Sequence, residues 1–313
     1  MKLTVASSPH IRGDFKSSRI MFDVILALVP AMIVGIWMHG VRSLVVTLVS
    51  IAACVLLEWL YSVVTKTRNT VIDGSALVTG MLLAMTLPAS VPYWLVLVGS
   101  AFAIIFVKAL CGGLGQNVFN PALSARGFMM LIAPAYMVRF EGLDGVTAAT
   151  PLHHMVMPAL PEESLLDMFL GICPGSIGEV SALALLLGGA YLVWRKVISV
   201  RTPAAYLGTV AVLTLVFSKT VDPISWMLYS LFSGGVMLGA IFMATDYVTS
   251  PVTKLGQTVY GVGCGLLTVL IRYFGGYNEG VSYAILIMNA CVVLLDRIGR
   301  PVKYGAPKKE AAK

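Results

Sequence analysis

What most constrains this chain is a succession of about ten apolar runs, each near the roughly 20 residues that a helix needs to cross a bilayer core. They fall near 21–38, 43–64, 75–90, 92–110, 118–135, 179–194, 202–219, 224–244, 255–273 and 280–296. Charged residues are only 12% of the 313, against 58% hydrophobic ones, about half the charge of a soluble domain. The expectation is an all-α integral membrane protein with about ten transmembrane helices.

Charge placement orients the chain. The net charge of +7 could suggest nucleic acid as a partner in a soluble protein. Here Lys and Arg collect in alternate connections, where they act as topology signals. With the N-terminus inside, 18 of the 22 basic residues fall on the inner side, and Arg42, Arg139, Lys219 and Arg272 remain outside. Both ends are then cytoplasmic in a bacterial inner membrane. The polar, basic first 19 residues lack the pattern of a cleavable signal peptide. The segments expected are a cytoplasmic 1–20, a first bundle 21–135, an outer loop 136–178, a second bundle 179–296 and a basic cytoplasmic tail 297–313. The five cysteines show no CxxC spacing, and Cys54, Cys264 and Cys291, inside apolar runs, read as small buried hydrophobes, so no iron–sulfur cluster or other metal site is assigned to this chain alone.

The two bundles share a faint repeat. Gly112-Gly113 precedes Phe119-Asn120-Pro121-Ala122-Leu123, as Gly275-Gly276 precedes Ser282-Tyr283-Ala284-Ile285-Leu286. Gly80, Thr86 and Pro92 align with Gly239, Thr245 and Pro251. Five helices per half would make the halves two inverted repeats, which place ligands near the midplane where helices break. The breaks expected are Thr86-Leu87-Pro88, Asp246 to Pro251 and the two Gly-Gly turns, because proline removes a backbone donor and frees a carbonyl.

Several residues could carry chemistry. The outer loop holds Asp144-Gly145-Val146-Thr147-Ala148-Ala149-Thr150-Pro151-Leu152, a small-residue stretch that turns at Asp-Gly and exits at proline. Its histidines, His153 and His154, read as solvated. The Gly112 to Pro121 stretch reads either as a packed turn or as a helix start whose free N–H groups meet a polar ligand. Glu58, well inside its span, either pairs with a neighbouring helix or lies on a cation path, and Asp246 beside Thr245 and Thr249 either caps a broken helix or supplies oxygen ligands. Asp23 and Asp73, near helix ends, read as snorkelling or capping groups.

Three stretches carry a family resemblance: Ser7-Ser8-Pro9-His10, Gly112-Gly113-Leu114-Gly115-Gln116-Asn117-Val118-Phe119-Asn120-Pro121-Ala122, and Thr147 to Leu152. The chain resembles the D subunit of the Rnf complex and its relative, the B subunit of the Na+-translocating NADH:quinone oxidoreductase. The resemblance implies FMN esterified through its phosphate to Thr150 by a flavin transferase, with Asp144 and Thr147 as motif positions. Ala148 departs from the usual Gly or Ser of that motif. The resemblance also implies a noncovalent riboflavin in the bundle, near Asn117, Asn120, Gly112 and Gly113. Partners would be a second FMN-carrying subunit and iron–sulfur subunits, with electrons running between reduced ferredoxin and NAD+ coupled to Na+ or H+ export. The Rnf member is preferred because only about 20 residues precede the first helix. The same repeat architecture also suits a secondary transporter or channel for a small polar solute, which would need no esterifiable threonine on an outer loop.

Overall fold

The computed structural model describes residues 17–67, 70–113, 115–140, 150–152, 160–161, 163–275 and 280–298. The first half holds α1 (Ser17–His39), α2 (Val41–Val64), α3 (Ser75–Met85), α4 (Tyr93–Ala101, continuing as a π-helix over Phe102–Ala109) and α5 (Pro121–Ile132). The second half holds α6 (Ala182–Trp194), α7 (Arg201–Val216), α8 (Pro223–Phe232), α9 (Val236–Leu238, continuing as a π-helix over Gly239–Met243), α10 (Lys254–Phe274) and α11 (Val281–Ala290). Among the described residues there is helix and no strand. Large apolar side chains such as Trp37, Val64 and Trp194 are exposed around the outside. Together with the apolar helices, this is the surface of a multi-pass membrane protein, whose solvent is lipid.

Every expected run contains an apolar helix, yet only three helices are long and apolar enough to cross a bilayer: α1, α2 and α10. A fourth is made if α8 and the α9 segment, bent by 64°, count as one broken span. The other apolar helices have 10–17 residues. α3 ends at Met85, and its 11 residues rise only about 17 Å. Thr86 and Leu87 continue as a tight turn into Pro88, which removes a donor. One expectation needs correction: the run 224–244 is interrupted at Ser233-Gly234-Gly235, where both glycines have positive φ (63° and 69°) and the chain turns.

Packing partners recur between the halves. α2 packs on α3 and α4, as α7 packs on the Gly239–Met243 segment and α10, while α1 meets α6 and α5 meets α11 across the halves. Small residues let these helices touch. A Cβ on Gly80 of α3 would come within 2.8 Å of Ile51 Cα, and Ser50 Oγ donates to the Gly80 carbonyl at 2.8 Å. On α10, Gly261 and Gly265 face Thr202, Tyr206 and Thr209 of α7 equally closely. Close backbone approach of this sort drives helix association where lipid supplies no hydrophobic force.

Candidate functional site

Two cavities gather the residues with chemical potential. The larger, about 810 Å³ of unfilled space partly open to solvent, lies between the start of α1, α3, the end of the α4 π-helix, the start of α5 and the break after Met243. Its polar wall includes Ser75, Lys108, Asn117, Asn120, Thr245 and Asp246. Both π-helical segments border it, through Lys108 and Phe242. π-Bulges widen a helix by one residue and recur at functional positions.

The approach to α5 explains the asparagines. Gly112, Gly113 and Gly115 take positive φ (113°, 91° and 90°), a region open chiefly to glycine, and fold the chain back so that the Gly113 N–H donates to the Lys108 carbonyl at 3.0 Å. Gly112 and Gly113 shape this turn and do not line the cavity. Asn120 is the N-cap of α5: its Oδ1 accepts from the N–H groups of Ala122 (3.1 Å) and Leu123 (3.3 Å), with Pro121 at the first helical position. Its Nδ2 donates to the Met243 carbonyl at 3.4 Å, binding the cap to the broken helix of the other half. In the amide orientation that satisfies its neighbours, Asn289 of α11 accepts from the Asn120 N–H and donates to the Thr249 carbonyl and the Tyr260 hydroxyl. Asn117 donates to the Phe119 carbonyl at 3.1 Å.

Glu58 pairs with a neighbouring helix. Lys108 Nζ lies 2.8 Å from Glu58 Oε1 and donates to Ser75 Oγ at 2.6 Å, and Thr70 Oγ1 donates to the same carboxylate oxygen at 2.6 Å. Both side chains are buried, 5% and 7% exposed. Asp246 lines the cavity, with Thr249 Oγ1 donating to its Oδ2 at 3.0 Å. Asp23 neither snorkels nor caps: it accepts from Tyr191 of α6 and from Arg195 just after it, tying α1 to its packing partner.

The second cavity, about 350 Å³ of unfilled space that is partly open to solvent, borders Thr150. Apolar groups of Phe140, Leu152, Met168 and Phe232 line it, together with Cys173 and Glu179. Among the described residues the Thr150 hydroxyl makes no hydrogen bond, and the residue is partly exposed. Asp144, Thr147, His153 and His154 lie outside the described residues. The segment after this cavity re-enters the bundle. Ile177 and Gly178 donate their N–H groups to the carbonyls of Leu87 and Met85 (3.1 and 2.8 Å), satisfying the acceptors that the α3 break releases. Glu179 then meets Arg126 of α5 at 3.2 Å, both buried.

Sequence reasoning passes over Lys108, Arg126, Glu179 and Arg272. A count of basic residues by side treats Lys108, Arg126 and Arg272 as loop charges, whereas all three are buried inside the bundle. Arg272 caps the C-terminal end of α8, donating to the carbonyls of Ser230, Ser233 and Gly234 at 2.7–3.1 Å. Part of their signal is present in the chain: a basic residue within an apolar run needs a partner inside the protein, although the run does not say which residue that is.

Comparison with known proteins places the chain in a family. The chain matches the NQR2, RnfD, RnfE family over residues 4–305. It is 46% identical to the D subunit of the Na(+)-translocating ferredoxin:NAD(+) oxidoreductase complex of Acetobacterium woodii, covering 99% of this chain and 98% of that one. It is 42% identical to the D subunit of the proton-translocating ferredoxin:NAD(+) oxidoreductase complex of Clostridium ljungdahlii, covering 96% of each. With the D subunit of the ion-translocating oxidoreductase complex of an Escherichia coli strain it shares 34% identity over 98% of this chain and the whole of that one.

Proposed function

The chain belongs to the NQR2, RnfD, RnfE family, and from that premise we propose that it is the D subunit of an ion-translocating ferredoxin:NAD+ oxidoreductase. In this reading it carries electrons across the membrane beside iron–sulfur subunits and a second FMN-bearing subunit, and is inactive alone. Its helices form ten spans in two inverted sets of five, with both termini cytoplasmic and the 136–178 segment outside. The recurring packing partners of the two halves support that arrangement. The relatives named for Na+ and for protons match at 46% and 42%, so overall similarity is blind to which ion moves.

FMN is joined to Thr150 as a phosphoester, and a noncovalent riboflavin occupies the larger cavity. One observation carries the first assignment: the Thr150 hydroxyl, without a hydrogen bond among the described residues, borders a cavity walled by Phe140, Leu152, Met168 and Phe232. Apolar walls with a few polar groups suit a ring system of this type. When bound, the flavins supply the capacity to take and pass electrons singly or in pairs. The chain's own residues then have defined tasks. Thr150 holds the phosphate by its oxygen, and the apolar walls exclude water from the ring. The Ile177–Gly178 strap, between the cavity residues Gly175 and Glu179, is bonded to the broken end of α3. Asn120 and its bond to the Met243 carbonyl fix the edge of the larger cavity against the opposite half.

The test is direct. Protein co-expressed with a flavin transferase should fluoresce as a flavoprotein band after denaturing electrophoresis, and Thr150→Val should abolish the band while leaving membrane insertion intact. A fluorescent Thr150→Val band would refute the attachment. A colourless wild-type protein that moved a solute in liposomes would favour the transporter reading instead.

A further inference from the structure

Lys108 stands out as a membrane-buried charge whose cost packing alone does not require. A buried ion pair can commonly be replaced by well-packed apolar residues with no loss of stability, so a retained one calls for another reason. Lys108 lies in the π-helical turn that borders the larger cavity, with its side chain 5% exposed. An ammonium has three N–H donors. Two are placed, on Glu58 Oε1 at 2.8 Å and Ser75 Oγ at 2.6 Å. The third has no protein partner among the described residues. Ser75 also lines the cavity, and its Oγ is already an acceptor for Lys108, leaving its hydroxyl hydrogen to be given. The amide of Asn117, which lines the same cavity, uses its nitrogen on the Phe119 carbonyl and leaves its oxygen as an acceptor.

We propose that Lys108 is a ligand-recognition residue of the larger cavity, its ammonium held by Glu58 and Ser75 so that it donates to a carbonyl or ring nitrogen of a neutral planar heteroaromatic occupant. This rests on the reading of that cavity as a noncovalent flavin site. The lining groups Lys108, Ser75 and Asn117 together supply donors and an acceptor, which complement a ring bearing both carbonyl and N–H groups. Glu58 compensates the ammonium's charge, so the wall presents a strong donor without a net cation. An occupant that gains negative charge on reduction is stabilised by that ammonium more than its oxidised form, and its reduction potential rises accordingly.

The experiment uses the intact complex purified from cells, with Lys108→Met, Lys108→Arg and Ser75→Ala. Flavin released on denaturation is quantified against flavin retained covalently, and the noncovalent flavin is titrated spectroelectrochemically. Lys108→Met should bind that flavin at least about tenfold more weakly, the scale of one lost charge-assisted hydrogen bond. Any flavin remaining should titrate at a lower potential. Lys108→Arg should recover part of both, and the covalent flavin should be unchanged throughout. A Lys108→Met complex with full noncovalent flavin at an unshifted potential overturns the proposal. Should that variant fail to assemble, Ser75→Ala decides: it keeps the ion pair, and unaltered flavin content and potential there also overturn it. A wild-type complex that releases no flavin refutes the cavity reading itself, a different result from loss confined to the Lys108 variants.

Discussion

Individual residues in this bundle are held to the standard that lipid imposes: a charge must find its partner inside the protein. Glu58 and Lys108 do so across α2 and α4, with Thr70 bonded to the carboxylate and Ser75 to the ammonium. Removing one member leaves the other buried and uncompensated, which costs about 3–5 kcal/mol. Glu58→Gln should therefore lower the thermal stability of the detergent-purified protein sharply, and pairing it with Lys108→Met should restore much of the loss. A double variant no more stable than Glu58→Gln alone would show that the pair is not the source of the effect. Asn120 shows how one side chain serves two levels at once. Two contacts cap α5 and a third reaches the opposite half, so Asn120→Ala removes a cap worth about 1 kcal/mol and a tether between halves together.

At the level of elements, breaks matter as much as helices. The Ser233-Gly234-Gly235 break is built for its surroundings. Gly235 has φ +69°, and a Cβ there would come within 2.4 Å of Glu179 Oε1. Gly235→Ala should strain the backbone and push Glu179 off Arg126. We expect a drop in melting temperature and greater protease access to the segment after residue 160, read by limited proteolysis; unchanged digestion would mean that the Glu179 contact tolerates the displacement. The strap at Ile177 and Gly178 has a matching logic. It satisfies carbonyls that a shortened α3 leaves open, so the segment before α6 is fastened to the bundle by main-chain bonds that no side-chain pattern announces. Along α10, Tyr260 and Thr268 bond to Asn289 and Tyr206 at 2.6 Å each, a buried polar stripe that sets α10 against α7 and α11.

For the whole molecule, the proposed topology is testable by labelling one native and one introduced cysteine. Cys111 is exposed beside the Gly112-Gly113 turn, and Val221 is fully exposed in the connection before α8. With both termini inside, they lie on opposite faces. A membrane-impermeant maleimide should label Cys111 in inverted vesicles but not in intact cells, and Val221→Cys, in a chain otherwise free of cysteine, the reverse. Labelling of both from one face would refute the proposed arrangement.

Membership of the family, the all-helical membrane class and the positions of the apolar helices were legible in the residues themselves. Apolar length and the glycine and asparagine pattern of residues 112–122 are local properties, and local properties survive being read in order. Asn117, Asn120 and Asp246 stand out by their types and by the breaks they sit in, and the fold brings all three to one cavity. The partnership of Glu58 with Lys108, 50 residues apart, was not legible, and neither was that of Arg126 with Glu179 or the break at Ser233 to Gly235. A hydropathy profile averages a buried lysine away and credits it to the nearest loop. Only tertiary packing, by setting helices from distant parts of the chain a few ångströms apart, decides which charge is answered and by what.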